Sequence, residues 1–325
     1  MMLNSTSRTF NAVSETDLQN KPMTNEHINE AIASLETLMY ETVNSDVTVL
    51  RDAARHILSA GGKRIRPRLI LLTYAALGGQ NFNSVLPVAA AIELVHTASV
   101  VHDDINDHGV VRRGRPSVNA LWGRTFALLT GDFLFTKVYE LMAPYKDLNI
   151  DFAEGTIALV EGETMQAAAV KENNFSRAVY YEIIARKTAA LFRSGAKLGA
   201  KLAEASSDKI EIFANFGFNL GLAFQIIDDV LDLIGDEAQL GKTSGIDVEQ
   251  GRGFAIAYEN TQNNNTTDPL QSIKERALKG DAVKEAQEQA QQLVNSAIES
   301  LDAIADSPAK TALIELANSV IKREY

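Results

Sequence analysis

With 325 residues, the chain could form one large domain or two of ordinary size, and it is long enough to bury a substantial core. Its formal net charge of −11 argues against non-specific nucleic-acid binding, which needs a basic surface, and a phosphorylated ligand would have to meet a local cluster of cations or a metal ion. Because the chain has no cysteine, disulfides, thiolate metal sites and cysteine nucleophiles are excluded, and a reducing, cytoplasmic location is expected.

The N-terminal residues 1–25 are rich in Ser, Thr and Asn and lack the apolar stretch of a secretory signal. Arg8 is the only arginine among them, which is few for a transit peptide. We therefore expect a disordered tail over 1–25 and a single domain over 26–325. No uninterrupted apolar run approaches the ~20 residues that span a bilayer, so no transmembrane segment is expected.

Helical periodicity dominates the rest of the sequence, because apolar residues recur at spacings of three and four and the chain contains only 7 prolines. No stretch shows the sustained alternation of a half-buried strand, so an all-α protein is predicted. The third and seventh predicted helices are apolar on every side and are expected inside the bundle. The predicted helices lie at about 27–59, 67–77, 84–107, 117–145, 151–172, 176–204, 207–235, 268–279, 281–304 and 308–323.

The first candidate binding segment, residues 61–67, reads GGKRIRP. Its glycines leave the backbone free to approach a ligand, and Pro67 suits the start of the next helix. Gly62, Lys63 and Arg66 could therefore hold an anion without a metal ion. The segment lacks the wider glycine spacing of a Walker loop, and taken alone it is equally well explained as an ordinary basic turn.

Three aspartates, Asp103, Asp104 and Asp107, end the long apolar segment that follows. On a helix Asp103 and Asp107 lie one turn apart on the same face. Such carboxylates suit a hard cation such as Mg²⁺, which is usually held by a few carboxylates together with substrate phosphates. A calcium loop of the EF-hand type is excluded, because its twelfth position would be Arg115 rather than glutamate. A solvated acidic helix end remains the alternative interpretation.

Several cations and one histidine accompany this acidic cluster. Arg112 and Arg113 follow it closely, and Lys187 with Thr188 lies further along in a helical segment. His96 lies two helical turns before the first aspartate and projects from the same face. Taken singly, these residues have plainer explanations as a basic surface patch, an exposed lysine and a structural histidine.

The acidic pattern recurs far downstream at Asp228, Asp229 and Asp232, on another apolar helix. Burying such a cluster is costly unless metal ions or cationic side chains compensate the charge, so two copies indicate a site. About three divalent cations would neutralise the six aspartates. Two groups of cations could then each hold a diphosphate, which suggests two different substrates: Arg112, Lys187 and Lys242 beside the metal ions, and Lys63, Arg66 and Arg113 with His96 apart from them.

With these motifs together, the sequence resembles the trans-isoprenyl diphosphate synthases of the polyprenyl synthetase family, in particular those that make medium to long chains. The resemblance covers residues 28–325 and is carried by two basic motifs, two acidic motifs and several shorter matches. These matches are residues 61–67, 102–107, 112–116, 131–132, 162–163, 187–188, 224–232, 241–247 and 320–325.

The resemblance implies an all-α isoprenoid-synthase helical bundle around a deep central cavity, usually as a homodimer. It implies a prenyltransferase that condenses isopentenyl diphosphate with an allylic diphosphate and uses about three Mg²⁺ ions per site. By analogy, the metal ligands are Asp103, Asp107 and Asp228, with Asp104, Asp229 and Asp232 close by. The catalytic residues carried over are Asp103, Asp104, Asp107, Arg112, Lys187, Asp228, Asp229 and Lys242. The allylic diphosphate would contact Arg112, Lys187, Thr188, Gln225 and Lys242, and isopentenyl diphosphate would contact Gly62, Lys63, Arg66, His96 and Arg113.

Two segments depart from the family pattern. Residues 251–255 read GRGFA, where the family usually has a Thr-x-Pro-like element. Residues 260–267 form a short polar insertion, which is expected to be a solvent loop.

Small residues at Ala98 and Ser99 bear on product length. They precede the first aspartate by five and four positions, where aromatic residues limit chain growth in the family's short-chain members. A product longer than C15 is therefore expected, with C25 or beyond favoured over C20. The floor of the cavity must lie deeper, and its candidates are Ile92, Val95, Phe126 and Leu129.

Two alternative functions share these features in part. A non-catalytic or regulatory subunit of a heteromeric synthase would have the same fold, but such subunits tend to have eroded aspartate motifs, whereas both motifs are intact here. A terpene cyclase would not need a second, metal-free diphosphate pocket.

Overall fold

The computed structural model describes residues 25–234, 247, 250–262 and 280–322. Within them the chain is helical apart from its turns and one hairpin, in which β1 (Val111–Arg112) pairs antiparallel with β2 (Arg115–Pro116). The helices of the first half are α1 (Asn25–Thr42), α2 (Thr48–Ser59), α3 (Ile65–Ala76), α4 (Leu86–Asn106), α5 (Val118–Met142) and α6 (Asn149–Lys171). Those of the second half are α7 (Arg177–Ile184), α8 (Ala190–Leu202), α9 (Ser207–Ile234), α10 (Gly253–Gln262), α11 (Ala282–Ser300) and α12 (Pro308–Ile321). The all-α prediction is confirmed.

Helices α4 and α9 form the centre of the bundle, as their apolar sequences predict. Helix α4 packs mainly against α5, and α9 packs against α8 and α11. Gly217 and Gly221 allow α9 to approach α8 and the residue before it closely. A Cβ on Gly217 would lie 2.6 Å from the backbone O of Phe192, and a Cβ on Gly221 would lie 2.6 Å from the Cα of Ala189. Among the described helices, α9 is the one long and apolar enough to cross a bilayer, but core helices of soluble proteins share these properties, so this is weak evidence for a membrane span.

The predicted first helix, 27–59, is in fact two helices separated by a turn at residues 43–47. The centre of this turn, residues 44–46, is polar, and the hydroxyl of Ser45 accepts a hydrogen bond from the backbone N–H of Val47 at 3.1 Å. Such short side-chain to backbone bonds compete with helical hydrogen bonding and favour a turn. The spacing of apolar residues on either side did not reveal the break.

Helix α10 was not predicted. It begins at Gly253, and four of its residues, 254–257, are buried against the bundle. Residues 260–262 belong to this helix, so the predicted loop at 260–267 is wrong for its first three residues. The rest of that insertion, the predicted helix at 268–279 and the predicted tail up to residue 24 lie outside the described residues.

The hairpin between α4 and α5 was also not predicted. Its two central residues, Arg113 and Gly114, have positive φ angles of 53° and 72°. This is the geometry of a tight two-residue turn whose twist matches that of paired strands. Strands of two residues are too short for alternation to show in the sequence.

Large apolar side chains remain exposed on the outer faces of α5 and α6. They include Leu128 and Tyr139 on α5, and Ile157 and Val160 on α6. Phe126 and Leu129 of α5 are likewise exposed, with relative exposures of 43% and 46%. Neither side chain is among the residues that line the cavity described below, so a role for these two residues in its floor stays a prediction.

Candidate active site

The two acidic motifs line the same cavity, although more than a hundred residues separate them in the sequence. Helix α4 contributes the first motif and α9 contributes the second. Each motif lies near the C-terminal end of its helix. Helices α6 and α7 close the cavity with apolar and polar residues. The lining includes Ser99, Asp103, Asp107, Arg112, Glu163, Lys187, Thr188, Gln225, Asp228, Asp229, Asp247 and Arg252.

The aspartates of the first motif point in different directions. Asp103 and Asp107 line the cavity, whereas the side chain of Asp104 is only 1% exposed. Arg112 donates two hydrogen bonds to Asp104 Oδ1, from Nε at 2.9 Å and from Nη2 at 2.5 Å. Burial raises the pKa of Asp104, and the charge of Arg112 opposes this shift. Asp103 and Asp104 are consecutive residues, about 100° apart around α4, and here this rotation turns Asp103 towards the cavity and Asp104 towards Arg112.

The second motif is divided in a similar way. Asp228 and Asp229 line the cavity, and Asp232 is 1% exposed and accepts a hydrogen bond from the backbone N–H of Asp247 at 3.3 Å. Asp229 accepts hydrogen bonds from Tyr180 Oη at 2.8 Å and from Gln225 Nε2 at 2.7 Å. Burial raises the pKa of Asp229 to about 7, and the negative charge of Asp247 adds to the shift.

Lys187 and Thr188 lie in a π-helical segment, Ala185–Ala189, between α7 and α8. Lys187 Nζ lies 3.3 Å from Asp103 Oδ2 and 2.7 Å from Glu163 Oε2. The wider π turn aims these side chains into the cavity, in keeping with the frequent occurrence of such bulges at functional sites. The hydroxyl of Thr188 donates to Gln225 Oε1 at 2.7 Å, so the lysine segment is tied to α9 as well.

Glu163 was not assigned a role from the sequence, although its Gly-Glu motif was noted. Burial raises the pKa of Glu163 to about 7; Asp103 adds to the shift and Lys187 opposes it. Glu163 and Asp103 thus both contact the ammonium group of Lys187. A carboxylate next to a motif glycine was the signal that could have identified it.

Arg252 is a second residue that the sequence reasoning missed. Its guanidinium donates two hydrogen bonds to the carboxylate of Asp107, from Nη1 to Oδ1 at 2.9 Å and from Nη2 to Oδ2 at 2.8 Å. Its Nε donates to Asp247 Oδ1 at 2.9 Å. This cation belongs to the segment 251–255 that departs from the family pattern, and that departure was the available signal.

A basic pocket adjoins the acidic cavity. It is lined by Arg66, His96, Arg112 and Arg113, together with Phe224 and Asp228 of α9, and it shares Arg66, His96 and Arg112 with the acidic cavity. The guanidinium of Arg66 lies 4.6 Å from the ring centroid of Phe192 and 5.8 Å from that of Phe224, which places its charge in a cation–π contact.

Burial, together with the charges of Arg66 and Arg113, lowers the pKa of His96 well below its usual value, so the imidazole is neutral. Gly62 lies directly beside Arg113, because a Cβ on Gly62 would come within 3.1 Å of the guanidinium. Lys63 is exposed. The structure therefore brings four of the five residues predicted for the second diphosphate close together.

The donor set fits Mg²⁺. No three acidic or histidine side chains among the described residues form a ready-made metal cluster. Mg²⁺ does not need one, because it is usually bound by one or two carboxylates and completed by substrate phosphates and water. Carboxylates from two different helices, Asp103 and Asp107 on one side and Asp228 on the other, border a space that phosphate oxygens could share.

The remaining predicted residues have mixed positions. Ser99 lines the cavity, whereas Ala98 is fully buried and is not part of that lining. Ile92 and Val95 are fully buried in the core. Lys242 lies outside the described residues.

Comparison with known proteins gives matches over most of the chain. A family model described as polyprenyl synthetase matches residues 47–293. The octaprenyl diphosphate synthase of Escherichia coli K12 is 31% identical over 318 residues, covering 92% of this chain and 98% of its own. The geranylgeranyl diphosphate synthase of Methanosarcina mazei is 34% identical over 293 residues, covering 85% and 90%. Among solved structures, a polyprenyl synthase from Caulobacter crescentus, in complex with calcium and isoprenyl diphosphate, matches with a TM-score of 0.85 and 30% identity, covering 92% of this chain and 96% of that one.

Proposed function

Since the chain belongs to the polyprenyl synthetase family and is a prenyltransferase that elongates all-trans prenyl diphosphates, we propose which of its residues hold each substrate and how long its product is. The acidic cavity takes an allylic diphosphate, and the adjoining basic pocket takes isopentenyl diphosphate. One observation carries this division: carboxylates from two helices and a metal-free group of cations occupy neighbouring parts of one ligand space.

On the allylic side, Asp103, Asp107 and Asp228 hold Mg²⁺, with about three ions per site. The family is Mg²⁺-dependent in general. When bound, the metal ions would be held by these carboxylates and would stabilise the negative charge of the diphosphate. Asp104 and Asp232 are buried away from this space, and they support it by fixing Arg112 and the Asp247 backbone. The proposed diphosphate contacts on this side are Arg112, Lys187, Thr188, Gln225 and Lys242.

On the isopentenyl side, Arg66 and Arg113 supply positive charge from the pocket wall, and Lys63 adds an exposed cation. The backbone at Gly62 can approach the phosphates closely, since the residue has no Cβ. Neutral His96 offers one N–H to a phosphate oxygen without adding charge. The pocket needs no metal ion, because its own cations match a diphosphate.

The chemistry follows from this arrangement. Lys187 stabilises the diphosphate as the allylic C–O bond breaks and a delocalised carbocation forms. The alkene of isopentenyl diphosphate, held next to the cationic carbon, forms the new C–C bond. The proton that is then lost passes to the released diphosphate. Apolar residues of the cavity wall, such as Leu159 and Ile183, exclude the water that would quench the cation.

The proposed product is C25 or longer. Small Ser99 leaves the cavity open one turn below Asp103, and relatives of this chain include synthases for C20 to C50 products. We place the floor of the cavity at the level of Val95 and Ile92, which are fully buried further along α4.

We further propose a cytoplasmic homodimer with one catalytic domain over residues 26–325. The exposed apolar side chains of α5 and α6 support a dimer, since exposed apolar surface commonly marks a protein interface. A non-catalytic subunit is not favoured, because the relatives are synthases and both acidic motifs line the cavity.

Product sizing tests the proposal. The purified chain is incubated with farnesyl diphosphate, labelled isopentenyl diphosphate and Mg²⁺, and the products are separated by length. Turnover by the isolated chain to C25 or longer is expected. A C15 or C20 endpoint would refute the length, and absence of Mg²⁺-dependent turnover would support a subunit that needs a partner.

A further inference from the structure

Arg64 lies in the middle of the basic motif but does not face the basic pocket. Its backbone is left-handed, with φ 48° and ψ 42°, a region that arginine adopts only when the surroundings hold it there. Its side chain is 3% exposed and makes three directed hydrogen bonds. Nε donates to Glu36 Oε1 at 3.0 Å, Nη1 to Glu93 Oε1 at 3.0 Å, and Nη2 to the carbonyl of Leu58 at 3.2 Å.

These bonds connect four elements around the basic pocket. Glu36 belongs to α1, Leu58 lies in the last turn of α2, Arg64 directly precedes α3 as its N-cap residue, and Glu93 belongs to α4. Glu93 lies three residues before His96 on α4, so it is a near neighbour on the same helical face. The pair Arg64–Glu93 therefore ties the loop that carries Gly62 and Lys63 to the helix that carries His96.

The strength of the tie depends on burial. The side chains of Arg64 and Glu93 are 3% and 4% exposed, whereas that of Glu36 is 40% exposed. A buried charge that loses its partner is left without solvation, so the loop and α4 would separate or rearrange. The exposed Glu36 can be solvated by water and contributes less.

We propose that Arg64 and Glu93 are positioning residues for the metal-free diphosphate pocket, which set the spacing between its loop wall and its helix wall. This inference rests on the proposed function, in which that pocket binds isopentenyl diphosphate. Neither residue lines the pocket. Their effect is transmitted through the backbone of residues 61–66 and through the direction of α4.

The test uses Glu93→Gln, which keeps the shape of the side chain and removes its charge. Binding of isopentenyl diphosphate to the full chain is measured by calorimetry in EDTA. We expect the dissociation constant to rise about tenfold, which corresponds to one charge-assisted hydrogen bond. In Mg²⁺-containing assays the KM for isopentenyl diphosphate should rise by a similar factor, while the KM for the allylic diphosphate stays within about twofold.

Asp151→Asn is the matched control. Asp151 is another buried carboxylate, 7% exposed in its side chain, and it pairs with Lys197 at 2.6 Å and with Lys201. Asp151 lies at the start of α6, twelve residues before Glu163. The substitution therefore removes a comparable ion pair far from the basic pocket. It should lower the melting temperature without changing the dissociation constant for isopentenyl diphosphate.

The outcomes distinguish the proposed function of the pocket from the positioning role of Arg64 and Glu93. If the wild-type chain does not bind isopentenyl diphosphate without metal, the proposed function of the pocket fails. If the wild-type chain binds it and Glu93→Gln binds it equally well, or if both KM values rise together, the positioning role is wrong. Should Glu93→Gln fail to fold, Arg64→Lys keeps the charge but loses the fork-shaped set of donors. That variant should weaken metal-free binding several-fold, and unchanged binding would overturn the inference.

Discussion

Replacing Gly162 by alanine offers a direct test of the lysine segment. Gly162 of α6 faces the π-helical segment, and a Cβ there would lie 2.4 Å from the backbone N of Lys187 and 2.8 Å from its Cα. Ordinary contact begins at 3.4 Å, so α6 and the segment must separate by about 1 Å. Backbone atoms cannot rotate out of the way as a side chain could. Overpacking of this kind costs about 1–3 kcal/mol in the free energy of unfolding.

The same shift moves Lys187 away from the place where it meets the diphosphate. A displacement of about 1 Å at a positioned catalytic group can lower activity about 100-fold, so kcat/KM for the allylic substrate should fall by that order. Gly155→Ala is the control: its Cβ would lie 2.6 Å from Ser194 Cβ, two turns earlier on α6. Steady-state kinetics and thermal unfolding of both variants give the answer. If the two variants lose kcat/KM by the same factor, the position of Lys187 is not what limits the reaction.

Three further predictions concern the cavity. Because burial raises the pKa of Asp229 from 3.8 to about 7, its contribution to stability is present below about pH 4 and is lost as the pH rises through 7. In EDTA, the free energy of unfolding of Asp229→Asn, measured by urea denaturation, should therefore be higher than that of the wild type at pH 8 by up to about 4 kcal/mol, but not at pH 4. An equal difference at both pH values would contradict this. Ser99→Phe fills the cavity one turn below Asp103 and should shorten the product by at least one isoprene unit, whereas an unchanged product distribution would place the limiting wall elsewhere. Arg252→Ala releases Asp107 from its guanidinium and should tighten Mn²⁺ binding without substrate about tenfold in a titration, and weaker binding would show that Arg252 assists the metal instead.

The motifs could be identified from the sequence because their chemistry is local. Asp103 and Asp107 share a face through the helical repeat alone, and both indeed line the cavity. The apolar character of α4 and α9 on every side predicts their place inside the bundle. The repeated acidic pattern then implied that two distant segments meet, since neither could be buried without compensation.

The direction of individual side chains could not be predicted in this way. Asp104 belongs to the same motif as Asp103, yet it is turned towards Arg112 and buried. Arg112 lines the ligand space and also donates to Asp104, and this position depends on a hairpin too short to show in the sequence. Helix α10 was missed because its burial depends on packing against α7 and α9.

The amino-acid pattern alone predicts the helical class, the two central helices and the types of group in the site, because helical periodicity and clustered charge are visible over a few residues. Three features depend on how the helices pack: a π bulge directs Lys187, Arg252 donates to Asp107, and Arg64 contacts Glu93 rather than the ligand space. Arg252 and Asp107 lie 145 positions apart and Arg64 and Glu93 lie 29 positions apart, and the π bulge packs against Gly162 of another helix. Their energies depend on burial and on distances of about 3 Å between packed elements, which no spacing along the sequence specifies.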